Sequence, residues 1–78
     1  MNFKYYLREN GEVDLYRTPN NEKTFYENIE HVEYFEKGIW IKNSLKIRTA
    51  LNEIMTGWFN EDDRISDAQA MSIQETYK

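Results

Sequence analysis

The absence of cysteine is the feature that most constrains this chain, because the chain has only 78 residues. A domain of this size buries about 60–65% of the surface that its unfolded chain exposes, so its core is marginal without reinforcement. Without cysteine there is neither a disulfide framework nor a cysteine-ligated zinc site. Two Trp, six Tyr and four Phe residues therefore supply most of the bulk, and we expect one domain that spans residues 1–78.

The composition and the N-terminal sequence also indicate where in the cell the protein is found. No run approaches the roughly 18 apolar residues that a membrane span needs, and the N-terminal sequence MNFKYYLREN lacks the apolar stretch of a signal peptide. Asn, Ile, Lys and Tyr, which AT-rich codons encode, outnumber Ala, Gly, Pro and Arg. We therefore expect a cytoplasmic protein from a low-GC bacterial or phage genome, which would act in the host cytoplasm if a phage encodes it.

Residues 3–17 have the pattern of a β-hairpin around an Asn-Gly pair. A two-residue loop would place Leu7 opposite Asp14, which mixes apolar and charged side chains on one face. A three-residue loop at 9–11 instead pairs Leu7 with Val13, and we expect this register. The inward face would then consist of five apolar residues, which are Phe3, Tyr5, Leu7, Val13 and Leu15.

Residues 24–36 carry signals for both a helix and a strand. Thr24 and Glu27 have the spacing of a capping box, which favours a helix. The β-branched and aromatic side chains that follow favour a strand, so both structures stay open. We expect one short helical turn near residues 24–28, followed by a strand.

A second hairpin is predicted from residues 30–36 and 39–43. A two-residue turn at 37–38 would bring Tyr34 opposite Ile41. Together the two hairpins predict an antiparallel sheet of four strands.

The C-terminal third of the chain has the periodicity of two helices. Ser44 is the predicted N-cap of the first helix, and Gly57 is its predicted C-terminal stop. Ser66 and Gln69 form a predicted capping box at the start of the second. The apolar stripe of the first helix is predicted at Ile47, Leu51, Ile54, Met55 and Trp58.

These elements predict an α+β architecture, in which an antiparallel sheet of two β-hairpins is followed by two C-terminal α-helices packed on one face. The core would then lie between that face and the helices. The residues expected in it are Phe3, Tyr5, Leu7, Leu15, Ile39, Ile41, Leu51, Ile54 and Trp58.

The sequence is poor in catalytic and metal-binding groups. It contains one histidine, His31, no cysteine, and three glycines that lie far apart. A phosphate-binding loop needs clustered glycines, and nucleophilic catalysis needs a base beside the nucleophile. We therefore expect no enzymatic activity, no cofactor and no metal ion, with His31 on the surface or in a cross-strand pair.

Charge is segregated along the chain, which has 14 acidic and 10 basic residues. The acid cluster, defined as Glu61, Asp62, Asp63 and Asp67, holds four carboxylates within seven residues. A helix N-terminus needs only one or two acids. Clustered carboxylates attract basic partners, and basic grooves are typical of nucleic-acid-binding proteins. The cluster is predicted to bind such a partner, and an ordinary solvated surface is the alternative.

The segment 37–48 indicates a different partner. It contains three lysines, one arginine and no acid, together with Trp40, which could stack on a nucleic-acid base. Phe35 and Trp40 would share the outer face of the second hairpin, which is either an interface or core beneath a helix. The alternative function is therefore a small nucleic-acid- or ribosome-associated protein, although the net negative charge disfavours direct nucleic-acid binding.

One stretch of the chain supports a resemblance. An amphipathic helix is followed by Gly57 and Trp58, by the acids at 61–63, and by a helix that carries Met71. In this order, and in its short, acidic, cysteine-free character, the chain resembles small phage proteins that disarm host defence. Among these are anti-CRISPR proteins, which occupy the DNA-binding surface of a Cas effector.

The resemblance implies a non-catalytic, stoichiometric inhibitor that mimics DNA. Its partner would be a basic host protein or nucleoprotein complex, and a Cas effector is one candidate. The residues implied as phosphate or base-edge mimics are Glu61, Asp62, Asp63 and Asp67. Phe35 and Trp40 are the second candidate interface, and a homodimer formed through an exposed hairpin edge stays open.

Overall fold

The computed structural model describes residues 2–9, 13–42, 44–57 and 63–77. Their elements follow in chain order: β1 (Phe3–Glu9), β2 (Val13–Pro19), a 3₁₀ helix (Ile29–His31), β3 (Glu33–Glu36), β4 (Ile39–Ile41), α1 (Leu45–Thr56), β5 (Arg64–Ile65) and α2 (Asp67–Thr76). The predicted α+β class, with an antiparallel sheet and two C-terminal helices, is confirmed.

Five strands form one antiparallel sheet among the described residues, in the order β4-β3-β2-β1-β5. The fifth strand was not predicted. It has only two residues, Arg64 and Ile65, which pair with Tyr6 and Tyr5 of β1. A two-residue strand has no periodicity from which it could be predicted. The edges of the sheet are therefore β4 on one side and β5 on the other.

The first hairpin forms in a register that neither of the two considered loops gives. Leu7 lies opposite Leu15, and Arg8 lies opposite Asp14, so each partner is two residues further along β2 than we expected. A shift of two residues keeps every side chain on its own face of the sheet. The expected shared face is therefore retained, although its cross-strand pairs are different. The loop residues 10–12 lie outside the described residues.

Both faces of the sheet are covered, each by one helix, which corrects the expectation that both helices lie on one face. Tyr6 and Tyr16 pack with Ile47 of α1. Leu15, on the opposite face, belongs to a cluster with Ala70 of α2. The reason lies in β1 and β2, which carry large apolar or aromatic side chains on both faces, so that both faces need cover.

Aromatic rings dominate the core beneath α1. Phe25 meets Tyr6 and Tyr16 edge to face, with ring centroids 5.2 and 5.8 Å apart. Such ring pairs contribute about 0.5–1.5 kcal/mol beyond the area that they bury. The buried hydrophobic residues of the described chain are Tyr6, Leu15, Tyr16, Phe25, Val32, Tyr34, Phe35, Ile47, Ala50 and Ala70.

The expected core is only partly correct. Leu15 is buried, Ile39 is exposed, and Trp58 lies outside the described residues. The other six expected residues are half-buried. The sequence favours the odd-numbered face of β1 because the charged residues Lys4 and Arg8 lie on the even face, but Tyr6 on that even face is fully buried.

The second hairpin has the predicted register, with Tyr34 opposite Ile41. Its turn residues Lys37 and Gly38 both adopt positive φ, at 49° and 87°, as a two-residue type I′ turn requires. The ambiguous segment before it is neither a long helix nor a long strand. It forms a turn at 25–28, then the 3₁₀ helix, and only then β3.

The helix and turn caps follow the sequence closely. The hydroxyl of Ser44 accepts from the backbone N–H of Lys46, and Gly57 ends α1 with φ of 85°. Both parts of the Ser66 and Gln69 capping box are present at α2. Hydrogen bonds between Thr24 and Glu27 also form as predicted, and they lower the pKa of the Glu27 carboxyl.

The turn provides a test of the second hairpin. Nothing lies within 4 Å of a Cβ placed on Gly38, so Gly38→Ala should destabilise the fold through its backbone alone, by about 1 kcal/mol. Lys37→Asn should stabilise it by about 0.5 kcal/mol, because Asn tolerates positive φ better than Lys does. Urea unfolding measures both changes, and a neutral Gly38→Ala would contradict the type I′ turn.

The rotation of α1 can be tested with two truncations. Ile47 is 5% exposed whereas Leu51 is half-buried. Ile47→Ala should therefore cost about 2–4 kcal/mol of unfolding free energy, and Leu51→Ala should cost clearly less. The opposite order in urea unfolding would show that α1 buries Leu51 more deeply than Ile47, although the sequence pattern places both on the apolar stripe.

Candidate functional site

A buried polar network connects the sheet to α1. Asp14 of β2 is 1% exposed; its carboxylate accepts hydrogen bonds from the Arg8 guanidinium at 2.9 Å and from the Tyr34 hydroxyl at 3.0 Å. The Lys46 ammonium lies 3.5 Å from the same carboxylate. Arg8 also donates two hydrogen bonds to Glu53 of α1, and these bonds raise the pKa of Arg8. Each Asp14 oxygen thus has a cationic or hydroxyl partner.

The network affects the buried tyrosines rather than creating a reactive group. Burial, together with the hydrogen bond to Asp14 and its negative charge, raises the pKa of Tyr34 to about 12. Burial and the charge of Asp14 also raise the pKa of Tyr16, whose hydroxyl donates to the backbone carbonyl of Lys46 at 3.1 Å. Both phenols stay protonated at neutral pH, and the cluster stabilises the packing of α1 on the sheet.

Tyr34 predicts an alkaline loss of stability. An unfolded tyrosine ionises near pH 10, whereas folded Tyr34 keeps its proton up to about pH 12. Its contribution is therefore complete below pH 10 and declines as pH rises from about 10 to about 12. Unfolding free energies measured in urea across this range should fall, and they should fall less steeply in Tyr34→Phe.

Tyr34→Phe should also cost about 1–2 kcal/mol at neutral pH, because the buried Asp14 loses a donor. Tyr26→Phe, which changes an exposed tyrosine, is the matched control. If Tyr34→Phe and Tyr26→Phe show the same alkaline slope, Tyr34 is not the group responsible.

The structure describes two members of the acid cluster. Asp63 is half-buried and directly precedes β5, and Asp67 is exposed at the first residue of α2. Glu61 and Asp62 lie outside the described residues. Asp63 therefore lies at the β5 edge of the sheet, four residues before Asp67.

Helix α2 adds a carboxylate that the sequence analysis did not single out. Asp67, Met71 and Glu75 are four residues apart, which places them along one side of the helix, and all three are exposed. We call this set the acidic stripe. Ala70 is the buried residue of α2, so most of the helix surface faces outward. The spacing of the stripe is visible in the sequence, but only the structure shows which side of the helix is exposed.

The second candidate interface belongs to the core. Phe35 is buried and Trp40 is half-buried, with ring centroids 5.1 Å apart. The Arg17 guanidinium lies 4.2 Å from the Trp40 ring centroid and 4.0 Å from that of Phe3. The cluster containing Phe35 and Trp40 packs with residues of α2. Of the two alternatives given by the sequence, an exposed interface or core beneath a helix, the structure thus agrees with the second.

One cation of the basic segment 37–48 also forms an ion pair within the fold. Lys46 faces Asp14, which leaves Lys37, Lys42 and Arg48 as the exposed cations of this segment. Trp40 contacts other rings and a guanidinium, so its faces are less available for a base. His31 is exposed in the 3₁₀ helix.

Within the described ranges, no group of three or more His, Cys, Asp or Glu side chains could hold a metal ion. The helices seen in that part of the chain are too short or too polar to cross a membrane. Comparison with protein-family models, curated proteins and solved structures found no match to this chain. The functional proposal therefore rests on this chain's own residues.

Proposed function

We propose that the protein is a non-catalytic binding module that acts as a stoichiometric inhibitor of a basic, nucleic-acid-binding partner. The binding surface is the acidic stripe of α2, extended by the acid cluster that precedes it. The observation that carries the proposal is Met71, which is 65% exposed and lies between two exposed carboxylates, Asp67 and Glu75, on a helix with little of its surface in the core.

The internal ion pairs leave the negative charge of the protein on its surface. Arg8, Arg17 and Lys46 are each bound to a carboxylate within the fold, and their partners are the three acids Asp14, Glu33 and Glu53. These three cations and three carboxylates balance one another, so the remaining charged residues carry the whole net charge of −4. That charge can steer a basic partner.

Helix capping does not account for the acids of this region. The N-terminus of α2 is already satisfied by Ser66 and Gln69, with Asp67 in the first turn. Glu75 lies near the opposite end of α2, where the helix dipole disfavours a negative charge, so capping does not explain its position.

The stripe has a shape suited to Lys and Arg side chains. Asp67 and Glu75 are eight residues apart, which corresponds to about 12 Å along a helix. Two separate cations can therefore bind them, while Met71 between them contacts the aliphatic parts of the same long side chains. A groove built to hold phosphates offers such cations, and a protein that occupies the groove excludes the nucleic acid.

The acids should act locally rather than through net charge. In the variant Asp63→Asn/Asp67→Asn/Glu75→Gln, binding should weaken by about 2–5 kcal/mol if the contact is desolvated. The control Glu9→Gln/Glu22→Gln/Glu30→Gln removes the same charge from exposed positions elsewhere and should change binding far less. If the two variants change the dissociation constant equally, the acidic stripe is an ordinary solvated surface and not the binding site.

The partner can be obtained from a nuclease-treated lysate of a low-GC bacterium, with the two triple variants as parallel baits. The expected partner is retained by the wild type and the control, is lost with the stripe variant, and is displaced by added DNA. Purified with the wild type, it should lose its nucleic-acid binding at a one-to-one ratio. A guide-loaded Cas effector is the first complex to assay. A partner that binds DNA and this protein simultaneously would contradict the inhibitor mechanism.

A further inference from the structure

We infer that the outer edge of β4 binds an extended acidic segment of a partner protein by β-strand addition. β4 is the terminal strand of the sheet and has β3 as its one neighbour among the described strands. This edge is a surface separate from the acidic stripe, and the inference does not depend on the proposed function.

The register of the second hairpin determines which backbone groups face outward. In a hairpin with a two-residue turn, the residues that flank the turn are a hydrogen-bonded pair, and pairs alternate from there. Glu36 with Ile39 and Tyr34 with Ile41 are therefore the bonded pairs. Trp40, between them, directs its N–H and C=O away from β3, where an added strand can bind them.

An exposed apolar side chain lies on this edge strand. Ile39 is 61% exposed even though it is in a strand. Ile41, on the same face as Ile39, is half-buried. An added strand would cover Ile39 and Ile41 with two of its own side chains spaced two residues apart.

The charges around the edge select the occupant. Lys37 and Lys42 lie at the two ends of β4, and both are exposed. Glu36 lies behind β4, on β3 opposite Ile39. A second copy paired antiparallel through β4 would bring Lys37 of one copy close to Lys42 of the other at both ends of the strand, which like-charge repulsion disfavours. A strand with two apolar residues flanked by acids complements both the apolar and the basic side chains.

The probe is the synthetic peptide acetyl-Glu-Asp-Val-Thr-Val-Asp-Glu-amide, and the control peptide has Lys at the four acidic positions. Titration of the isotope-labelled full chain, followed by backbone amide NMR, should move the Trp40 and Lys42 amides. The peptide should slow hydrogen exchange at the Trp40 amide. The control peptide should bind at least about tenfold more weakly.

Substitutions at three exposed positions separate the apolar from the ionic part of the site. Ile39→Thr should weaken the acidic peptide about fivefold, whereas Met55→Thr, at another exposed apolar residue, should not. Lys37→Gln/Lys42→Gln should weaken it about tenfold at low salt, whereas Lys23→Gln/Arg64→Gln should have little effect. The inference is overturned if the Trp40 amide gains no protection or if both peptides bind equally.

Sedimentation of the chain alone tests the competing occupant. A monomer across the working concentrations agrees with the inference, and a dimer that Ile39→Thr dissociates would assign the edge to a second copy instead. The acidic-stripe variant should bind the peptide as the wild type does. Failure of the β4 edge is therefore distinguishable from failure of the inhibitor proposal.

Discussion

The carboxylate of Asp14 is the interaction on which the rest of the structure depends. It lies inside the protein and is shared by cations from β1 and α1 and by a hydroxyl from β3. A buried carboxylate without such partners would cost several kcal/mol, so every alternative arrangement that separates Asp14 from Arg8 is disfavoured. In the register we expected from the sequence, Arg8 would face Glu12, and Asp14 would lie opposite Tyr6 instead. The ion pair thus selects the pairing of the first hairpin.

The same network sets the position of α1. Arg8 reaches Glu53 near the C-terminal end of the helix, and Asp14 faces Lys46 near its N-terminal end. With two polar contacts about two helical turns apart, α1 can neither slide nor rotate freely over the tyrosines beneath it. A core of small size gains specificity from such a network more than it gains stability, because desolvation offsets much of the attraction.

The two helices differ in what they contribute. Helix α1 is held by rings on one side and by ion pairs at both ends, so it belongs to the core. Helix α2 covers the opposite face of the sheet chiefly through Ala70 and Ile73, and it leaves its acidic side outward. Asp63 directly precedes β5, while the exposed Lys37 and Lys42 flank β4, and three strands separate these two edges. The two surfaces that we propose for binding are therefore separate.

The sequence alone determined the elements whose signals are local. Ser44, Gly57, Ser66 and Gln69 predicted the helix ends because capping involves residues three or four positions apart. Lys37 and Gly38 predicted the second hairpin and its register because a two-residue turn leaves one way to pair the strands. For the function, the crowding of acids before α2 was visible in the same way, since it is a property of adjacent residues.

Only the tertiary structure decided the features that depend on distant residues. The register of β1 and β2 follows from the burial of Asp14 between Arg8 and Lys46, and the pattern of either strand alone does not contain that information. The burial of Phe35 and the exposure of the acidic stripe were settled by α2, which crosses the face that the sequence left open. The physical reason is that the burial of a side chain depends on which surfaces pack together. In this chain the buried tyrosines and the ion pair of Asp14 with Arg8 determine that packing as much as the aliphatic residues do.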